Sequence, residues 1–277
     1  MTTKEFGRTG RRVSEIGMGT YYDPLWIVTG FLGWKRGASK KVTALKVGLN
    51  RGMLFIDTAE IYQSEPLVAE AIRGRKRDEL FLATKVWWNH LHHDDVVKSL
   101  ERSLRRLDTS YIDLYQVHTP NGRVPIRETM SAMEELVGQG KVLAIGVSNF
   151  SLEQVKEAQA SLSKSQLASI QMPYNLMNRT IERDLLPYCD KESIAVMAYF
   201  PLAHGRLAPS DPAIAELSAK YSKTRSQLAL RWLAQKKNVF PIPRASDPQH
   251  VQLNSEVSGW GLAPEDTARL EALYRKE

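Results

Sequence analysis

Cysteine is nearly absent: Cys189 is the single one in 277 residues. A disulfide framework is excluded, and a reducing, cytoplasmic setting is expected. Cys189 lies in Leu185-Leu186-Pro187-Tyr188-Cys189-Asp190, which reads as a helix with no matching histidine motif for a nucleophile. No apolar run approaches the ~20 residues of a membrane-spanning helix, and Met1-Thr2-Thr3-Lys4-Glu5 is no secretory leader. There is no G-x-G-x-x-G after a strand, since Gly17-Met18-Gly19 runs into Thr20-Tyr21-Tyr22. That excludes the open-sheet plan in which glycines bring the backbone up to a pyrophosphate. His90, His92 and His93 lack a cysteine or a further ligand set, so no metal is expected. The net charge is +7, but the densest basic run, Arg73 to Arg77, meets Asp78 and Glu79 and has no aromatic residues interleaved. A solvated surface is expected rather than a nucleic-acid partner. A positive field would still draw an anionic small molecule.

What is present is a repeating βα pattern. Continuously apolar runs fall at 16–19, 54–58, 80–86, 111–118, 142–149, 167–173, 194–202 and 239–243. Such runs suit strands covered on both faces. Between them lie helical periods, such as Val97, Leu100, Leu104 and Leu107, and Ile126, Met130, Met133 and Leu136. Ser151 with Gln154 reads as a capping box, and Pro66 and Pro125 suit first helical turns. Eight strands alternating with helices in a chain near ~250 residues predict one (β/α)8 barrel domain spanning 1–277. Ahead of it, 4–7 and 12–15 flank a glycine-containing turn and predict a β-hairpin closing the barrel bottom. The longest irregular stretch, 21–37, carries Tyr21, Trp26 and Trp34 on the carboxyl-terminal rim, where it reads as a substrate wall or lid. Trp87 and Trp88 stand on the same rim, and His90 and His204 are further lining candidates.

Asp57, Tyr62, Lys85 and His118 sit at the ends of three successive predicted strands, neighbours in a sequential barrel. A phenol beside an ammonium is a proton donor whose pKa is drawn below ~10. A carboxylate keeps the ammonium charged, and an imidazole orients a carbonyl. Each residue alone has a dull structural explanation. The four together are specific.

The segments F-I-D-T-A-E-I-Y (55–62), F-L-A-T-K-V (81–86), Y-I-D-L-Y-Q-V-H (111–118), I-G-V-S-N-F (145–150), Q-M-P-Y-N (171–175), M-A-Y-F-P-L (197–202) and I-P-R-A-S (242–246) resemble the aldo-keto reductase family. The likeness is to short-tailed prokaryotic-type members and covers nearly the whole chain. It implies a barrel enzyme that reduces aldehydes or ketones with a nicotinamide cofactor. Carried over, Tyr62 is the proton donor, Lys85 and Asp57 lower its pKa, and His118 orients the carbonyl. Ser148, Asn149 and Gln171 hold the carboxamide and Tyr199 stacks on the nicotinamide ring. Thr20 and Leu202 join the cofactor contacts, and the dinucleotide tail meets Arg244, Ser246, His250 and Asn254.

The pattern also departs from its relatives. Gln63 and Ala69 stand where relatives commonly have glycines, and Thr119 where they often have an aromatic residue. His250 replaces an arginine and Leu253 an acid often found in members preferring the 2′-phosphorylated cofactor. Arg244 and Ser246 still suit a phosphate, so NADP(H) is favoured and NAD(H) remains possible. The chain stops soon after a helical stretch at 264–274, without the long terminal loop of sugar- and steroid-reducing relatives. Broad use of small aldehydes, dicarbonyls or aldoses is the resulting expectation. A Schiff-base aldolase through Lys85, and a cofactor-binding regulatory subunit like potassium-channel beta subunits, are the competing readings. Oligomeric state is left open.

Overall fold

A computed structural model describes residues 1–207 and 211–274. The amino terminus forms a hairpin of β1 (Thr3–Glu5) and β2 (Arg12–Ser14), paired antiparallel. Eight strands follow: β3 (Met18–Gly19), β4 (Phe55–Asp57), β5 (Phe81–Val86), β6 (Leu114–Val117), β7 (Ile145–Ser148), β8 (Leu167–Pro173), β9 (Ala195–Tyr199) and β10 (Val239–Pro241). They pair in parallel and in sequential order. The sheet curls shut where the Gly17 N–H donates to Pro241 O and the Gly19 N–H to Pro243 O, each at 2.9 Å. A Cβ at Gly19 would stand 2.8 Å from Ile242 O, so the seam requires glycine there.

All eight expected strands are present, and most are shorter than the apolar runs that announced them. Ile112, inside the 111–118 run, meets Val142 only as an isolated bridge. The helices form the outer layer. His93–Leu107 buries Val96, Leu100, Leu104 and Leu107, and Leu152–Ser161 opens with the Ser151–Gln154 capping box. Pro125 caps its helix from outside rather than occupying the first turn.

The hairpin plugs the barrel bottom. Phe6, fully buried, packs with ring centroids 5.6, 4.7 and 4.9 Å from Phe55, Phe81 and Phe240. Lys4 Nζ donates to Ala234 O, Lys236 O and Val239 O, stitching the hairpin to the helix end before β10. Burial lowers the Lys4 pKa to about 7. With one end sealed by aromatic rings, the carboxyl-terminal end is where a cleft can open.

The stretch 21–37 is not irregular: it contains the helix Pro24–Phe31, whose amino end is capped by Asp23. Its apolar residues Leu25, Val28 and Leu32 do fall at helical spacing, but the face they form is exposed rather than buried.

Candidate active site

The strand ends bring Asp57, Tyr62, Lys85 and His118 together. Asp57 closes β4, Lys85 lies one residue before the end of β5, and His118 follows β6. Tyr62 ends a one-turn 3-10 helix, Glu60–Tyr62, just past β4. Lys85 Nζ donates to Asp57 Oδ2 and to Thr58 O, both at 2.8 Å, and is completely buried. Asp57 Oδ1 accepts from Gln171 Nε2 at 2.9 Å. Tyr62 Oη and His118 Nε2 stand 3.2 Å apart and share a hydrogen bond.

The electrostatics differ from the sequence expectation. Tyr62 is not acidified: burial first, then the charge of Asp57, holds its pKa well above the ordinary phenol value. The ammonium donates to Asp57 and Thr58 O, and its Nζ lies 4.9 Å from the centre of the Tyr62 ring with no hydrogen bond to the hydroxyl. In the dry floor of the site, desolvation of a phenolate outweighs a cation already paired with a carboxylate. Burial pushes Asp57 up and Lys85 down, and each opposes the other's shift across the ion pair. Burial and the Lys85 charge lower the His118 pKa to about 2, so its imidazole is neutral. His118 Nδ1 is buried without a hydrogen-bond partner.

Above these groups lies a cleft of about 970 Å³. Asp57, Tyr62 and His118 line its floor, with Tyr21 and Trp87 beside them. Rings meet edge to face there: Tyr21 and Tyr62 at 5.3 Å, Trp87 and His118 at 4.8 Å. The cleft then runs past Ser148, Asn149, Gln171, Tyr199 and Leu202 to Arg244, Ser246, His250 and Asn254. Tyr199 Oη donates to Asn149 Oδ1 at 2.8 Å, and Asn149 Nδ2 donates to His118 O at 2.9 Å. Asn149, Phe200 and His204 hold φ values of 61°, 49° and 57° around this cleft. Non-glycine residues in the left-handed region mark strain that surrounding structure maintains, a common trait of ligand sites. Arg244 donates to Tyr22 O at 2.5 Å.

Several proposed contacts lie elsewhere. Thr20 does not face the cleft; its hydroxyl is wholly buried, donating to Asp57 O at 3.0 Å beside Ser64. Its neighbours Gly19 and Tyr21 take the lining positions. Trp26 is not a substrate wall: it is buried, and its Nε1 donates to Tyr62 O at 3.1 Å. Trp34 is 71 % exposed and Trp88 44 %, and neither lines the cleft. His90 turns to Glu60, Nδ1 to Oε1 at 3.0 Å, while His92 and His93 pair with separate carboxylates. Among the described residues, no group of three or more His, Cys, Asp or Glu could hold a metal. Cys189 is buried, and burial pushes its thiol up to about 12.

The sequence reading missed other lining residues. Phe200 stands 4.8 Å from the Tyr199 ring and 3.9 Å from His204, and Thr224, Arg225 and Gln227 also line the cleft. The last three precede or begin the helix Arg225–Ala234, and only the Thr224–Gln227 capping box announces their position.

The model of the aldo/keto reductase family matches residues 26–275. The chain belongs to that family. It is 36% identical over 268 residues to methylglyoxal reductase YeaE of Escherichia coli, covering 94% of this chain and 90% of the relative. With aldo-keto reductase YhdN of Bacillus subtilis it shares 35% identity over 302 residues, 93% of this chain and 89% of the relative. A crystal structure of a Klebsiella pneumoniae aldo-keto reductase in complex with NADPH superposes with a TM-score of 0.88 at 35% identity. That match covers 99% of this chain and 96% of the other. As a member of this family the chain is an oxidoreductase acting on carbonyl compounds.

One departure within the reductase pattern has a structural resolution. Gln63 adopts the left-handed conformation itself, at φ 57°, where relatives commonly carry glycine. Its side chain packs on Gly30 of the helix Pro24–Phe31, so that a Cβ at Gly30 would stand 2.8 Å from Gln63 Cβ. Together with the Trp26–Tyr62 hydrogen bond, this contact docks the helix on the catalytic turn. Glycine inside a helix ordinarily destabilises by roughly 0.5–1 kcal/mol relative to alanine. Here the sign should reverse: Gly30→Ala is expected to lower the thermal midpoint and raise KM for the carbonyl. In a Gln63→Gly background, the same Ala should become neutral or stabilising. Thermal unfolding of the two single variants and the double variant checks this, and simple additivity would disprove the contact.

Proposed function

We propose that this protein reduces small aldehydes and dicarbonyls with NADPH, using Tyr62 as the general acid. The observation that carries the reading is the Tyr62–His118 pair, 3.2 Å apart, on the floor of a cleft that extends to Arg244 and Asn254. A carbonyl oxygen seated between the phenol and the neutral imidazole meets two polar groups from the protein. A nicotinamide cofactor held in this cleft would supply hydride to the carbonyl carbon. Negative charge then grows on the oxygen, and Tyr62 transfers its proton there. Its raised pKa keeps the donor loaded at neutral pH, while an alkoxide is basic enough to take the proton. Lys85 lies beneath the ring and moderates the phenolate left behind, with Asp57 and Thr58 O fixing it in place.

The residues present suit a dinucleotide. Tyr199, Asn149, Ser148 and Gln171 form a connected polar and aromatic wall near the floor, and Arg244 supplies a cation at the far end, beside Ser246 and His250. Small dicarbonyl substrates are supported by the likeness to a methylglyoxal reductase and by the aromatic walls of Tyr21, Trp87 and Phe200. A cytoplasmic setting is supported by the free, buried Cys189.

Lys85 does not line the cleft and is held by two acceptors under Tyr62, which disfavours the Schiff-base alternative. NADPH consumption with methylglyoxal tests the reading, and binding of NADPH without turnover of any aldehyde would move it to a regulatory module. Arg244→Ala is expected to raise the Kd for NADPH about tenfold or more, since charged hydrogen bonds are worth roughly 1.5–3 kcal/mol. NADH should lose less. Fluorescence titration with both cofactors checks this, and equal losses would remove Arg244 from 2′-phosphate recognition.

A further inference from the structure

The helix Pro24–Phe31 presents its apolar face to solvent. Leu25 is 71 % exposed, Val28 58 %, Phe31 62 %, Leu32 69 % and Trp34 71 %. These five are the only large hydrophobic side chains more than half exposed among the described residues. Leu25, Val28, Phe31 and Leu32 recur at helical spacing and so share one face, while Trp26 and Gly30 fill the opposite, buried face. Scattered apolar side chains on a surface are ordinary, whereas a contiguous group of this kind marks an interaction site.

Charge along the chain that follows Asp23 is one-sided. Between Asp23 and Asp57 the chain has no acidic residue and six cations: Lys35, Arg36, Lys40, Lys41, Lys46 and Arg51. Lys40 is paired with Asp247, and Lys41 lies 4.3 Å over the Trp26 ring. Lys35 and Arg36, both exposed, directly follow Trp34. Apolar and aromatic side chains beside a basic margin suit the boundary of an anionic lipid bilayer, where cations meet headgroups and rings insert below them. A second copy of this chain fits poorly, because a two-fold interface on this face would bring two basic margins together with no acidic residue between positions 24 and 56 to answer them.

We infer that the segment 24–36 docks this protein peripherally on anionic lipid surfaces, lying on the membrane rather than crossing it. No helix among the described residues is long and apolar enough to span. Ile27 and Val28 also line the cleft, so docking sets the cleft mouth close to the lipid.

Vesicle co-sedimentation tests this inference independently of the reductase reading. The protein should partition onto phosphatidylglycerol-containing vesicles and little onto phosphatidylcholine alone. Lys35→Gln/Arg36→Gln, and separately Phe31→Gln/Leu32→Gln, should each reduce partitioning at least about tenfold. Both double variants should keep their circular dichroism and their kcat/KM for a short water-soluble aldehyde. Absence of binding to anionic vesicles, or equal binding to neutral ones, would overturn the inference. So would a concentration-dependent dimer in light scattering that Phe31→Gln/Leu32→Gln abolishes, which would assign the face to a second copy.

Discussion

Tyr62→Phe is expected to reduce carbonyl turnover by about 10²–10⁴, the usual value of a positioned general acid. The variant is a clean test because it removes only Oη. The ring keeps its edge contacts with Tyr21 and His118 at 5.3 and 5.2 Å and the Lys85 ammonium 4.9 Å over its face. One buried hydrogen bond is lost, worth about 1 kcal/mol, so the fold should persist. Cofactor affinity should hold, since Arg244, Asn149 and Tyr199 lie elsewhere along the cleft. A direction also follows from the raised Tyr62 pKa. Reduction needs the phenol, which is loaded through the neutral range. Alcohol oxidation needs the phenolate, which burial disfavours, so that reaction should gain as pH rises. His118 contributes no limb near neutral pH, because its pKa of about 2 leaves it uncharged throughout. Steady-state kinetics in both directions and cofactor titration check these outcomes. A Phe variant with wild-type turnover would remove Tyr62 from the chemistry.

The barrel was legible because buried strands leave continuous apolar runs, and the hairpin because its turn residues are local. Asp57, Lys85 and His118 could be placed from sequence since strand ends in a sequential barrel must adjoin. The direction of the Tyr62 pKa could not. It depends on where one ammonium points, and on the depth of a phenol in a dry floor, neither of which is encoded in residue spacing. Trp26, Trp34 and Trp88 show a related limit. An aromatic residue in a rim segment faces the cleft, the core or solvent according to local backbone geometry: Trp26 lies on the buried face of the helix Pro24–Phe31, while Trp34 and Trp88 lie outside any helix. Gln63 worked the other way. A residue that breaks the glycine pattern nonetheless adopts the left-handed backbone, held there by packing on Gly30. Arg225 and its neighbours reach the cleft by tertiary packing of the helix they begin; the Thr224–Gln227 capping box marks where that helix starts, not which surface it meets.

Lys85→Met should unfold the protein more easily, by about 3–5 kcal/mol, because it leaves Asp57 buried without its partner. The pair is enclosed: side-chain exposure is 0 % for Lys85 and 4 % for Asp57. Thr58 O also loses a donor. Burial already raises the Asp57 pKa, so without the ammonium its carboxyl is expected to take up a proton. Stability and turnover should separate in the double variant Lys85→Met/Asp57→Asn. A neutral amide can still accept the Gln171 hydrogen bond, and no unpaired charge remains, so much of the lost stability should return. Turnover should not. The phenolate that Tyr62 becomes after proton transfer would then face an apolar side chain instead of an ammonium 4.9 Å from its ring. A loss of about 10²-fold or more is expected in both variants. Denaturant midpoints together with kcat decide the matter. Recovery of turnover alongside stability would reduce the ion pair to scaffolding. Stability without turnover would make Lys85 a group that acts through Tyr62 on the reacting oxygen.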